Sequence, residues 1–413
     1  MRFLFLRFIS AIAFFGVICF PLSTHLGAQD VTLTIEQALD RARQHAPAIL
    51  SAKGRIEEAR GRLAGALVRF RDNPLIELDA GPRFTPEGRI ADVEFGFSQN
   101  FELGGRRNAR IAGAESGIAR ETATSEDVTR RLLRDVATAF LRALWAQKRL
   151  ELLRSSEQLA SAFSATAQKR YDAGDIPVLE LNLAKSSAVR ARSEVRSATA
   201  DMTEALGDLR VFLGMGSEER LAIRGDLRDQ RQHDLDTLLA AAPERPDLKA
   251  LAAEMGEAEA DVRLGAGFKW PEVGVGGKYS RDEGNNIVQG GLKITLPVFS
   301  KGQELQATGN ARAARLRTEL ESAKRTVRSE VRTALEIETF RRETVNELEK
   351  AALPGLEEND SLAKRSYEEG EIGLPELIFI RREILDTKMS YANSLLEAAL
   401  AGLEVEFRAG VLR

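Results

Sequence analysis

From Ile118 to Ala173 the chain runs for 56 residues without Gly or Pro. Within that run Leu133, Val136, Phe140 and Leu144 recur at spacings of three and four, and the opposite side carries Arg, Glu, Lys, Ser and Ala. That period marks one face of a helix, and at 1.5 Å per residue the run spans roughly 84 Å. A second uninterrupted run extends for 44 residues from Asn310 to Leu353, then Pro354-Gly355 intervenes and helix resumes to Glu369. Helices this long predict coiled-coil packing rather than a globular core. Elsewhere the period changes to two. Ile76, Leu78 and Ala80 alternate with Glu77 and Asp79; after a Gly-Pro turn and a short loop, Val93, Phe95 and Phe97 alternate with Glu94, Gly96 and Ser98. Farther on, Val273, Val275 and Tyr279 share one face, and Val288, Leu292, Ile294 and Leu296 oppose Gln289, Gly291, Lys293 and Thr295. These are strands of eight to ten residues with one apolar face.

The pattern occurs twice. Tyr171-Asp-Ala-Gly174-Asp175-Ile176-Pro177-Val-Leu-Glu180-Leu181 matches Tyr367-Glu-Glu-Gly370-Glu371-Ile372-Gly373-Leu374-Pro-Glu376-Leu377 at an offset of 196. Pro47-Ala-Ile-Leu is echoed by Pro246-Asp-Leu-Lys, and Asn73-Pro74 by Trp270-Pro271. Such a period is too long for a solenoid. It predicts two copies of one unit, each with the order helix, two strands, very long helix, tip turn, helix: a first repeat over residues 29–225 and a second over 226–413.

The first 28 residues stand apart. Arg2 and Arg7 precede an apolar stretch from Phe8 to Leu22, and no acid occurs before Asp30. This is the pattern of a secretory signal peptide, with cleavage expected after Ala28. Ile18 before Cys19 is the wrong neighbour for an acylated Cys. Once that segment is removed the chain has no Cys, which excludes disulfide frameworks, thiol catalysis and thiolate metal sites.

Charge and composition exclude more. The formal net charge is −3, so no basic field points to nucleic acid. No internal run reaches 18 apolar residues, which argues against membrane-spanning helices. His45 and His233 stand alone in the sequence, no HExxH or GxSxG occurs, and the Gly284–Lys293 stretch has the wrong spacing for a phosphate loop. Neither an enzyme, nor a resident cofactor, nor a metal site is expected.

Four amphipathic strands in two distant pairs cannot close a barrel within one chain. Their length suits a tilted outer-membrane crossing, where every strand edge must be paired. Three chains would supply twelve strands. On this reading the apolar faces meet lipid, and Glu77, Asp79, Glu94, Lys293 and Thr295 face a lumen. A small soluble sandwich would have to bury that row of charges. A structural or adhesive coiled-coil rod would not need the strand pairs.

With these residues in view the sequence resembles the TolC-like family of trimeric outer-membrane efflux channels, over about Val31 to Arg408. Gln99-Asn100-Phe101-Glu102-Leu103-Gly104-Gly105-Arg106-Arg107 is similar to the barrel-to-helix junction of the cation-efflux branch, and Leu296-Pro297-Val298-Phe299-Ser300-Lys301-Gly302 to its counterpart in the second copy. Asn100 departs from the family, where Pro is usual.

The resemblance implies an α+β membrane protein: a homotrimer with a 12-stranded outer-membrane β-barrel, four strands per chain, continued by a long periplasmic α-helical coiled-coil barrel. It implies a passive conduit in a Gram-negative outer membrane. Energy would come from a proton-driven inner-membrane pump of the resistance-nodulation-division class, joined through a periplasmic adaptor (membrane fusion) protein. Heavy-metal cations are the implied cargo; small organic toxins, or type I secretion substrates, are the alternative. The tips Gly174, Asp175, Ile176, Pro177 and Gly370, Glu371, Ile372, Gly373, Leu374 would dock the adaptor, with Ile176 and Ile372 as exposed apolar knobs. Glu376 matches an acid of the ring that narrows the periplasmic mouth, with Glu180 its first-copy equivalent; a second acid of that ring is replaced here by Phe379. Arg381 and Arg382 would tether the closed state by pairing with acids of a neighbouring subunit.

Overall fold

The computed structural model describes residues 30–86, 88–216, 219–228, 232–282 and 285–412. The expected signal peptide lies outside the described residues.

The element order among these residues is β1 (Asp30–Leu33), α1 (Ile35–His45), α2 (Pro47–Leu67), β2 (Leu75–Thr85), β3 (Gly88–Phe101), α3 (Arg106–Asp172), α4 (Val178–Phe212), β4 (Arg220–Ile223), α5 (Leu235–Ala241), α6 (Pro246–Gly267), β5 (Glu272–Asp282), β6 (Asn285–Thr295), α7 (Gln303–Glu347), α8 (Leu356–Glu368) and α9 (Leu374–Ala409). Helix, strand, strand, long helix, helix thus runs twice.

Local chemistry explains the breaks. Thr34 starts α1 with a capping box: its hydroxyl accepts the Gln37 N–H while Gln37 accepts the Thr34 N–H. Pro47 opens α2 at a position where a missing N–H costs nothing. α3 extends for 67 residues, roughly 100 Å, because nothing in it removes a donor. α7 ends instead in a π-helical turn, Leu348–Ala352, just before Pro354.

The strands β2, β3, β5 and β6 form one antiparallel sheet in that order. They are 11, 14, 11 and 11 residues long, longer than the alternation alone indicated. The expected Gly81-Pro82 turn is not one: β2 continues through Pro82, which pairs with Ala91. Within this chain β2 has β3 as its one partner, and the Pro82 pairing with Ala91 is kept. A separate parallel pair, β1 with β4, clasps the start of the first repeat to its end.

Packing concentrates along the helices. The largest cluster joins α1, α3, α4 and α9, with Val136, Phe140, Leu209 and Leu213 fully buried. Another joins α5, α6, α7 and α9 around Val331 and Val405. A third lies at the tips, where Ala167, Ile176, Leu181, Tyr367, Leu374 and Leu377 come together from both copies. Among the described residues no helix is long and apolar enough to cross a membrane.

Candidate functional site

The sheet is built inside out. Cross-strand partners share a face, so the register can be read directly. Asp79 pairs with Glu94, Glu77 with Gly96, Lys293 with Gly274 and Thr295 with Glu272. Glu94 pairs in turn with Ser280, and Gly96 with Lys278. All five residues expected at a lumen therefore lie on one polar face. Ion pairs knit it together: Arg83 Nε to Asp92 at 2.7 Å, Arg83 Nη1 to Asp282 at 2.6 Å, and Lys278 to Glu94. The other face carries Ile76, Leu78, Phe95, Phe97, Val275, Val288, Leu292 and Ile294. On β3 it is the more open of the two, with Val93, Phe95 and Phe97 exposed and Asp92, Glu94 and Ser98 half-buried; on the outer strands β2 and β6 both faces are open, Leu78 and Val288 as well as Glu77, Asp79, Lys293 and Thr295. One wholly apolar face opposite one carrying charges and their ion pairs suits lipid outside and water inside.

Two junctions turn the strands into helices. Gly104, Gly105 and Gly302 all have φ near +71°, the left-handed region that favours Gly. A Cβ on Gly104 would lie 2.5 Å from Trp270 Cδ1 and 2.6 Å from the Gly267 carbonyl; one on Gly302 would strike the Gly265 carbonyl. Space around Gly105 is open. Arg106 is buried, donates to Glu272 at 2.7 Å and lies over the Phe268 ring. It ties the first junction to the start of β5. The two junctions differ where the sequence does: β3 carries Asn100 and continues to Phe101, whereas β6 stops before Pro297. Phe299 is almost wholly exposed.

Both tips close by the same device. Gly174 and Gly370 adopt φ of 81° and 78°. The Asp175 N–H bonds the Arg170 carbonyl at 2.8 Å and the Glu371 N–H the Ser366 carbonyl at 2.8 Å, the six-to-one bond of a Schellman ending. The expected apolar knobs are not there. Ile176 is only 7% exposed, Ile372 is half-buried and Leu374 is buried. They face the cluster shared by the two hairpins, because burying a branched side chain gains more than presenting it to water. The exposed apolar residues are Val178, Leu179 and Phe379, one step along the helices. Asp175, Pro177, Glu371 and Gly373 are exposed.

Glu376 is exposed and turns back to accept the Gly373 N–H at 2.9 Å, which fixes its carboxylate at the first turn of α9. Glu180 has no such anchor, since the matching position is Pro177, which lacks an N–H. Arg381 is engaged within its own chain. It pairs with Asp360 of the same chain at 3.1 Å and lies over the Phe163 ring. Burial lowers its pKa. Arg382 is exposed and lies 3.8 Å from Asp386, one turn along the same helix.

His233 is not alone in space. Its Nδ1 meets Glu338 of α7 at 2.9 Å and its Nε2 meets Glu406 of α9 at 3.4 Å, while Arg342 also holds Glu338 at 2.6 Å. The Glu338 hydrogen bond, seconded by Glu406, raises the His233 pKa to about 9. Its partners lie 105 and 173 residues away, so no local spacing signals this cluster. With both ring nitrogens donating, it is an imidazolium between carboxylates. Among the described residues no group of three or more His, Cys, Asp or Glu is arranged to hold a metal.

Comparison with known proteins agrees with this architecture. The family model "Outer membrane efflux protein" matches residues 38–215. Crystal structures of CusC superpose with a TM-score of 0.76 over 91% of this chain and 92% of that one, at 15% identity. The chain has the fold of the TolC-like outer-membrane efflux channels. Four antiparallel strands and long helices per chain are what one subunit contributes in the trimeric channels of this fold. The cobalt-zinc-cadmium resistance protein CzcC of Cupriavidus metallidurans is 24% identical over 308 residues, 74% of each chain. The nickel-cobalt-cadmium resistance protein NccC of Alcaligenes xylosoxydans xylosoxydans is 25% identical over 248 residues, 57% of this chain and 56% of that one.

Proposed function

We propose that this TolC-like protein exports heavy-metal cations as the outer-membrane channel of a tripartite system, coupled through a periplasmic adaptor to a proton-driven inner-membrane pump of the resistance-nodulation-division class. The observation that carries the cargo is the likeness to CzcC over three quarters of both chains. The acids on the polar sheet face and the Glu102–Arg107 junction support it. The two copies of the helix-strand-strand-helix-helix unit, residues 29–225 and 226–413, derive on this reading from one duplicated ancestor.

Transport is passive in this subunit. The polar face, with Glu77, Asp79, Glu94, Lys293 and Thr295, lines the barrel. The tips around Gly174 and Gly370 meet the adaptor, and Glu376 rings the periplasmic mouth. A conduit releases cargo quickly only if it binds weakly, so tight chelation belongs to the pump rather than to this wall. Deleting the gene and scoring growth on zinc, cobalt, cadmium, nickel, copper and silver against several dyes tests the cargo. Sensitivity to one or more of the metals is expected; sensitivity to dyes alone would overturn it.

A further inference from the structure

At the helical end of the sheet the apolar band does not simply stop. Glu272 pairs with Thr295 and Phe101 with Val273. Trp270 and Lys269 lie two and three residues before Glu272, and Leu296 to Lys301 follow Thr295. All are therefore at one level, where the chain leaves the barrel. Phe70 reaches the same level by stacking edge-on against Phe101, with ring centroids 5.5 Å apart.

Two features recur along this level. Large apolar groups are bare: Trp270 is 60% exposed and Phe299 91%. Trp270 is nevertheless held, with one edge against Gly104. Beside each bare ring stands an exposed base, Lys269 next to Trp270, Lys301 two residues after Phe299, and Arg69 and Arg71 on either side of Phe70. Among the described residues no carboxylate pairs with Lys269 or Lys301. Glu102 is already engaged by Arg110 at 2.6 Å, leaving Arg71 4.0 Å away. The two lysines are therefore free to bind something else.

Bare rings at the edge of a lipid-facing band place themselves among headgroups. Lysines at that depth extend their amines toward phosphate. Each Lys or Arg near an anionic surface adds about 1 kcal/mol of attraction, and three-fold repetition multiplies the sites. We propose that this belt is a selective binding surface for anionic phospholipid in the inner leaflet, with Lys269 and Lys301 on the phosphate and Trp270 and Phe299 against the acyl chains. The proposal rests on the outer-membrane placement and is independent of the cargo.

The chain has two Trp, and the other, Trp145, lies in α3 and hydrogen-bonds Asn393 of α9, far from the sheet. Fluorescence quenching of the full-length trimer in vesicles of phosphatidylcholine mixed with brominated phosphatidylglycerol, or with brominated phosphatidylcholine, reads the belt directly. Trp270→Phe supplies the Trp145 background. Several-fold preferential quenching by the brominated anionic lipid is expected, falling toward equality in Lys269→Gln/Lys301→Gln and at high salt. Equal quenching by the two lipids, a preference unchanged in the double variant, or no quenching beyond the Trp270→Phe background would overturn it.

Discussion

Gly105 and Gly302 share a backbone conformation and differ in what surrounds them. Both have φ near +71°, so any side chain there incurs strain of about 1 kcal/mol. Around Gly105 the strain is all there is. At Gly302 a Cβ also meets the Gly265 backbone, which cannot rotate away, and overpacking of that kind adds about 1–3 kcal/mol. Gly302→Ala is therefore expected to lower the melting temperature of the trimer clearly more than Gly105→Ala, read by circular dichroism in detergent. His233 makes a different kind of residue-scale contribution. Its pKa rises from 6.5 to about 9 through Glu338 and Glu406. A raised pKa in the folded state means the charged form stabilises the fold: the contribution is complete below about pH 6.5 and is lost as pH climbs through about 9. The groups facing the ring are Glu338 and Arg342 on α7 and Glu406 on α9. The wild-type trimer is expected to lose a few degrees of melting temperature between pH 6.5 and 9.5 that His233→Gln does not lose. Parallel curves for the two proteins would remove the imidazolium from the account.

The elements divide into those that local pattern dictates and those that it does not. Helices α3 and α7 were legible because runs of more than forty residues without Gly or Pro leave nothing to break a helix, and the amphipathic strands because alternation fixes which face each residue takes. Their ends were less so. Alternation stops at Gly81-Pro82, yet β2 continues through Pro82 to Thr85 in register with β3. The tips were placed correctly by their Gly, but the direction of Ile176 and Ile372 depends on two hairpins 196 residues apart sharing one cluster. No single stretch of sequence contains that information. The same limit hid the intrachain pair of Arg381 with Asp360 and the carboxylates around His233. The correction changes what the tips present. Leu179 is 75% exposed just beyond the turn, and on the docking proposal it would take the place of Ile176 as the apolar contact. Leu179→Asp is expected to reduce adaptor crosslinking while the trimer remains folded. Gly370→Trp should do the same, since a Cβ there meets no atom of the chain within 4 Å and the added ring points into the docking space; its φ of 78° adds only about 1 kcal/mol of strain. Ile176→Asp should instead unfold the tip. Undiminished crosslinking in both Leu179→Asp and Gly370→Trp would refute the docking role.

At the scale of the whole molecule, three-fold symmetry turns single side chains into rings. One Glu376 is an ordinary exposed acid. Three around an axis bring like charges together, and repulsion grows as the mouth narrows and water is excluded. The carboxylate is positioned for this, because the Gly373 N–H holds it at the first turn of α9. That bond also sets its limit. A carboxylate tied to its own backbone cannot swing freely, so an aperture lined by it would change only when the α8–α9 hairpin moved as a unit. Arg381 restrains that motion from within the chain: its pairing with Asp360 and its stacking on Phe163 link α9 to α8 and to α3. Opening thus works against contacts inside each subunit. Phe379, one turn after Glu376 and 64% exposed, supplies an apolar neighbour where a second acid would have deepened the negative field, so on the proposed placement Glu376 would carry the selectivity of the mouth without that support. Glu376→Gln keeps the size of the side chain and an acceptor for the Gly373 N–H while removing the charge. Single-channel recording of that variant in a planar bilayer is expected to show weaker cation preference and weaker block by multivalent cations, with conductance otherwise preserved. If preference and block both remain at wild-type levels, Glu376 does not line the aperture, and the half-buried, unanchored Glu180 becomes the acid to replace next.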